Sequence, residues 1–245
     1  MGAMLANEWM KVSRRSPVLW VVAFGPLLMV LLGAANFWRY EELFLQDGAN
    51  PWSKMMLQIT LFYAVFFYPV LPGLLASYVC RYEHLGGGWK QQLALPVRRR
   101  HVYGAKLIVV ALFLALAQGL FYAFSFIAGL FLQLPASVPW RGFLDGAFFG
   151  WLSALPLAAL QLVVSVRWKS FALPLAINVI LAFPALMAAQ SRFGPYYPWA
   201  QPVLAMVRPL MGDPLEVLRF LPVVLIGFVV FAAAGLVYFC RRDVV

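Results

Sequence analysis

The sequence predicts an all-α polytopic membrane protein with about six transmembrane helices, a short amphipathic N-terminal helix and both termini on the cytoplasmic side. Three observations carry that prediction. Of 245 residues, 64% are hydrophobic and only 11% charged, and mean hydropathy is positive; a water-soluble domain must leave a polar surface and cannot hide so much apolar side chain. The apolar residues form continuous runs of bilayer-spanning length, not the alternating pattern of a membrane β-barrel. The basic residues crowd the connections on one side of those runs. Apolar-poor, charge-rich disorder is excluded by the same composition. Six spans of roughly 20 residues each use up the chain, so 1–245 reads as a single transmembrane domain.

In chain order, Leu5, Trp9, Met10 and Val12 share roughly one helical face ahead of the first span, the pattern of a helix lying at the membrane interface. Glu8 and Lys11 interrupt these apolar residues, so the start lacks the order of a signal peptide. The spans are expected at about 18–37, 56–79, 102–134, 143–166, 170–190 and 219–239. Pro69 and Pro72 predict a kink in the second. The third is longer than one crossing needs, so it should tilt or project its first turns out of the bilayer. Cys80 and Cys240 both close a span on the same side and read as small apolar residues at helix ends, without a disulfide framework or a metal motif.

Orientation follows from the charges. Thirteen Lys and Arg residues, with Glu8, Glu83 and Asp243, fall on the side of the termini and of loop 81–106; six basic and six acidic residues fall opposite. The net charge of +10 therefore lies on one face, which the positive-inside rule makes cytoplasmic. Charge dispersed over helix ends is explained by topology rather than by nucleic-acid binding, which needs a fold to display a basic patch. The expected location is a bacterial cytoplasmic (inner) membrane, crossed several times.

Within the spans no ionisable group stands at mid-depth, as an ion-coupled transporter or proton relay would require. Gln58, Gln118, Gln161 and Asn178 are the notable polar residues there and are expected to bond between helices. No HExxH, GxSxG, Cys/His cluster or paired intramembrane carboxylates occur, so the chain offers neither catalytic nor metal-ligating residues and is not expected to be an enzyme. If it moves a substrate, the energy comes from a partner.

Loop 81–106 carries the most information. The glycines Gly86–Gly88 break the descending helix, Trp89–Leu95 has room for about two turns of helix, and Pro96 ends it before the Arg98–Arg100 run. Trp89, Leu93 and Leu95 are the apolar knobs expected of that short helix. It suits either docking into a groove of a soluble partner or anchoring in lipid at the interface.

Glu83, Gly88, Trp89, Lys90, Leu93, Leu95, Pro96, Arg99, Tyr103 and Lys106 together make this segment resemble the coupling region of ABC transporter permeases of the lantibiotic-immunity kind (type 2 ABC exporters). The amphipathic start, the six spans, the Pro-Trp-Ala-x-Pro segment at Pro198–Pro202 and the aromatic-Cys-Arg-Arg-Asp end extend the resemblance over essentially the whole chain, although only Gly88–Pro96 is specific. Gly86 and Gly87 depart from it, standing where one acidic or polar residue is expected.

The resemblance implies that the chain binds no cofactor itself and works with a separate soluble ABC ATPase, a homodimer, which holds ATP and Mg. It implies that Glu83, Gly88, Trp89, Lys90, Leu93, Leu95 and Pro96 form the ATPase-coupling element. It further implies a second permease subunit, identical or paralogous, and amphipathic antimicrobial peptides as cargo. The same machinery with a drug, ion or lipid as cargo, and a non-transporting scaffold or signalling subunit, are the other readings. In the outer segment 191–218, five prolines surround the apolar run Val203–Val207. It is either a re-entrant element, with Pro198, Trp199 and Pro202 as an outer gate, or a proline-stiffened surface loop packed on the bundle.

Overall fold

The computed structural model describes residues 2–241 apart from Ser16, Gln46, Asp47, Ala49, Gly86, Leu95, Ala136 and 212–214; of Ala3, Arg14, Arg15 and Leu93 it describes the backbone alone. Every regular element among these residues is helical: α1 (Gly2–Arg15), α2 (Val18–Arg39), α3 (Glu41–Phe44), α4 (Pro51–Phe62), α5 (Leu71–His84), α6 (Gly88–Ala94), α7 (Arg99–Phe131), α8 (Trp140–Arg167), α9 (Ala172–Ala182), α10 (Ala185–Ala189), α11 (Gln201–Val207) and α12 (Val217–Arg241), with short π and 3-10 turns between some of them.

Four helices, α2, α7, α8 and α12, are each long and apolar enough to cross a membrane. The one-sidedness of their burial places them in lipid. In α2 the buried residues Val18, Val22, Pro26, Val30, Gly33 and Phe37 recur every three or four positions and form a single stripe, while Trp20, Phe24, Leu28 and Leu31 stand exposed on the rest of the surface. A helix apolar all round but packed along one stripe needs an apolar solvent for its other faces. In α12 only Phe220, Val224, Gly235 and Phe239 are buried. By contrast, α8 is the centre of the bundle, packing against α5, α7, α11 and α12, and its buried row of Gly146, Gly150, Ser153, Ala154 and Ala158 lets neighbouring helices approach closely. The 33 residues of α7 reach about 50 Å at 1.5 Å per residue, well beyond a hydrocarbon core of about 30 Å, so one end stands clear of the bilayer.

The second span is bent, as its prolines predict. It runs from Pro51 to His84 and turns by 43° between Phe67 and Leu71. A π turn over Tyr63–Phe67 precedes the break. Asn178 of α9 repairs the polar backbone exposed there: its Nδ2 donates to the Pro69 carbonyl (3.2 Å) and to that of Val70 (2.8 Å). Its Oδ1 in turn accepts the Trp199 indole N–H at 2.7 Å. Gly73 makes this possible, because a Cβ on it would occupy the space of the Asn178 side chain. Replacing Asn178 by Leu strands a buried indole donor and takes a partner from the carbonyls of Pro69 and Val70, of which Val70 keeps the Leu74 N–H, and is expected to cost about 1–3 kcal/mol. Thermal unfolding of the purified chain in detergent measures it; an unchanged midpoint would show that the break does not depend on this residue.

One expectation is corrected. The span expected at 170–190 is two short helices, α9 and α10, separated at Phe183–Pro184. Pro184 has no N–H to continue the helix, and eleven residues of α9 cover only about 16 Å. Among the described residues the bundle therefore has four candidate spans made of one continuous helix each and a bent fifth. Within the outer segment, every residue of α11 is buried, and the helix packs on α8 and α4. Gln118 of α7 ties it in, donating from Nε2 to the Gly146 carbonyl (3.2 Å) and to Met206 Sδ (3.0 Å). Of the in-span polar residues, Asn178 and Gln118 bond between helices as expected, and Gln58 Oε1 accepts from Asn36 Nδ2 at 3.0 Å; the Gln161 Oε1 atom is buried without a hydrogen-bond partner.

Candidate functional site

The loop between the second and third spans folds as the short helix that its glycines and proline predict, α6. Gly87 adopts φ +73°, a backbone conformation that favours glycine. At Gly88 a Cβ would lie 2.8 Å from both the Glu83 Cα and the Tyr82 carbonyl oxygen; a side chain there would push α6 off the end of α5. Pro96 lies exposed in the bend that follows.

The direction of α6 is the reverse of the expectation for Trp89. Rather than offering a knob to a partner, Trp89 is buried in its own chain. Its ring packs on Phe239 of α12, with centroids 5.3 Å apart, in a small core with Ala76, Cys80, Val102, Tyr103, Leu162 and Val166. The indole Nε1 donates to His84 Nδ1 (3.2 Å), and His84 Nε2 stands 2.8 Å from the Ser165 carbonyl. An indole N–H can only donate and a carbonyl can only accept, so His84 is neutral with its proton on Nε2. The face of α6 left outward carries Lys90, Gln91 and Ala94. The side chain of Leu93, and Leu95 as a whole, lie outside the described residues.

Beneath α6 four elements meet at buried charges. Glu83 of α5 receives Lys11 of α1 at 2.9 Å and Lys106 of α7 at 2.8 Å, both on Oε1. Glu8 of α1 receives Lys106 on Oε2 at 2.7 Å and Lys11 on Oε1 at 2.9 Å. Gln92 of α6 donates to Glu8 Oε1 at 3.1 Å, and Lys106 places its third proton on the Val79 carbonyl at 3.1 Å. Lys106 Nζ also lies 5.4 Å from the centroid of the Trp89 ring, within cation–π range. Two carboxylates and two ammonium groups make the cluster neutral. Glu8, Glu83 and Lys106 are almost fully inaccessible, so each ion depends on the others to offset its desolvation.

This hub does for α6 what a surface loop cannot. Gln92 and Trp89 both point inward on α6, and both touch the hub or its lysine. Through these contacts α6 is joined to α1, α5 and α7. Of the residues expected to form the site, Glu83, Gly88 and Trp89 come together here, while Lys90 and Pro96 face outward. Glu8, Lys11, Gln92 and His84 belong to the same assembly and were not among the expected site residues; the signal available in sequence was the Glu8–Lys11 pair breaking an apolar stripe one helical turn apart. The inner face of α1 carries Glu8 and Val12, Trp9 stacks on Phe113 of α7 with centroids 4.8 Å apart, and Met10 is exposed. At the other end of the bundle Trp199 and Pro202 are buried and Pro198 half-buried, with Trp199 committed to Asn178 as described.

A family model described as ABC-2 family transporter protein matches residues 4–185. That stretch takes in α1 through α9 and every charged member of the hub. No curated protein and no solved structure matches the chain.

Proposed function

Since the chain belongs to the ABC-2 family of transporter proteins, we propose that it is the membrane permease of an ATP-driven exporter that removes antimicrobial peptides of the lantibiotic or bacitracin type from the membrane. In this function α6 is the coupling helix. Its outward residues Lys90, Gln91 and Ala94 meet a soluble ABC ATPase, a homodimer that binds ATP and Mg and performs the hydrolysis. Two permease subunits, identical or paralogous, frame one path. The end of the bundle that holds α6 and both termini faces the cytoplasm of a bacterial cell, as the distribution of its basic residues favours. At the outer end, Pro198, Trp199 and Pro202 form part of the gate.

The observation that supports this most directly is the hub. A seven-residue helix is too short to hold its own shape in water, yet α6 is tied by Gln92, Trp89 and the buried lysine to three longer helices. A push on its outward face is thereby delivered to α1, α5 and α7 together, which a coupling element requires. The peptide cargo rests on the sequence resemblance and on an apolar interior free of mid-span charge.

The chain, tagged and extracted from its native membrane in mild detergent, is expected to bring down a soluble ATPase. Recovery of the chain alone would overturn the permease assignment. Cargo is read separately: a strain lacking the chain is expected to become more sensitive to lantibiotics and bacitracin-like peptides, and unchanged sensitivity would remove the peptide cargo while leaving the ATPase partnership intact.

A further inference from the structure

Beside the hub, at the same end of the bundle, a cleft of about 270 Å³ opens between the last turns of α5, the end of α8 and the start of α9. We infer that it binds the phosphate headgroup of an anionic phospholipid. Two cations, Arg81 and Lys169, line it, and among the described residues no carboxylate does. Arg81 makes no ion pair among the described residues. Its guanidinium instead lies within cation–π range of two rings, 5.6 Å from the centre of Phe171 and 6.0 Å from that of Tyr78, contacts that restrain the side chain and leave N–H groups for an oxyanion. The floor is hydroxylic. Ser77 and Ser165, both buried, share one hydrogen bond of 3.3 Å, so at least one further lone pair or proton is left for an occupant.

The surroundings favour a lipid over a soluble anion. Phe171, Pro174 and Trp168 form apolar walls, and the cleft continues onto the apolar helix α9, where Leu173 is exposed. A phosphodiester could thus sit between Arg81 and Lys169 while its glycerol and acyl chains run along α9. Basic pockets between spanning helices, with an indole at the rim, suit acidic headgroups. The cleft also shares a wall with the coupling machinery, because His84 lines it and holds both Ser165 and Trp89.

The test is native mass spectrometry of the full chain in an uncharged detergent, titrated with phosphatidylglycerol, with phosphatidylcholine and with inorganic phosphate. Wild type is expected to retain phosphatidylglycerol about tenfold or more better than phosphatidylcholine, and Arg81→Gln/Lys169→Gln to lose that preference. Arg81→Lys/Lys169→Arg should keep most of it, and Arg39→Gln/Arg192→Gln, at the opposite end, should keep all of it. Circular dichroism checks that each variant is folded. If the double glutamine variant fails to fold, the exposed single change Lys169→Gln is read instead, with a partial loss expected. Equal retention by the glutamine variant and wild type would overturn the site. Binding of inorganic phosphate with no gain from phosphatidylglycerol would overturn the lipid and leave a free-phosphate site.

Discussion

Replacing Lys106 by Met is expected to destabilise the chain by about 3–5 kcal/mol, the usual cost of removing one partner from a buried ion cluster. The change leaves Glu8 and Glu83 sharing Lys11 alone, and Lys11 is the one member of the hub with appreciable solvent access. Lys106 also supplies three short contacts at once, to Glu8, Glu83 and the Val79 carbonyl, so no neighbour can stand in for it. The companion variant Lys106→Met/Glu83→Gln restores neutrality and is expected to recover a large part of the loss, because it removes the unpaired carboxylate. Thermal unfolding in detergent distinguishes these outcomes. If the single variant melted with wild type, or if the double variant were worse than the single, the hub would not be the neutral, mutually dependent cluster described.

Trp89→Ala is the second large effect, and it separates an anchor from a docking knob. Truncating a buried Trp typically costs about 3–5 kcal/mol, and here the loss falls on the seam between α6 and the bundle: the contact with Phe239, the hydrogen bond to His84 and the cation–π contact with Lys106. The expected result is a chain whose long helices remain folded while the Gly88–Ala94 amides exchange hydrogen much faster than in wild type. On the permease assignment, stimulation of the ATPase by peptide should fall by about tenfold or more. Trp89→Phe keeps an aromatic ring in the seam while losing the N–H and part of the indole's bulk, so its loss should be clearly smaller than that of the alanine variant. Protection of α6 unchanged in the alanine variant would mean that the helix is held by other contacts.

Much of the fold was legible in the sequence because the bilayer imposes a length and a composition on anything that crosses it. The spans at α2, α7, α8 and α12 could be read within a few residues, as could the bend at Pro69–Pro72 and the short helix between Gly88 and Pro96. The break in the fifth expected span could not. Pro26, Pro156 and Pro222 all sit inside continuous helices, whereas Pro184 ends one, so proline marks a possible break and the packing around it decides. The burial of α11 was equally hidden, since an apolar run among prolines has the same composition whether it lies on the bundle or within it.

The candidate site was half legible for a related reason. Glycine geometry at Gly87 and Gly88 is local, and local rules found it. The facing of Trp89 is not local: a two-turn helix with one aromatic residue has an apolar side, but only the tertiary structure says whether that side looks inward. The hub joins residues as far apart as Glu8 and Lys106, 98 positions along the chain. Seen in sequence, each is a single charge interrupting apolar neighbours, which topology already explains; their mutual cancellation emerges only when four helices meet.

That cancellation has an electrical consequence. Moving one elementary charge through a membrane potential of 100 mV takes about 2.3 kcal/mol, so a lone lysine carried on α7 would make the position of that helix depend on voltage. Two ammonium groups travelling with two carboxylates carry no net gating charge. On the permease assignment, a movement passed through α6 would therefore draw no work from the cell's own field at the hub itself, whatever the arginines at the start of α7 contribute.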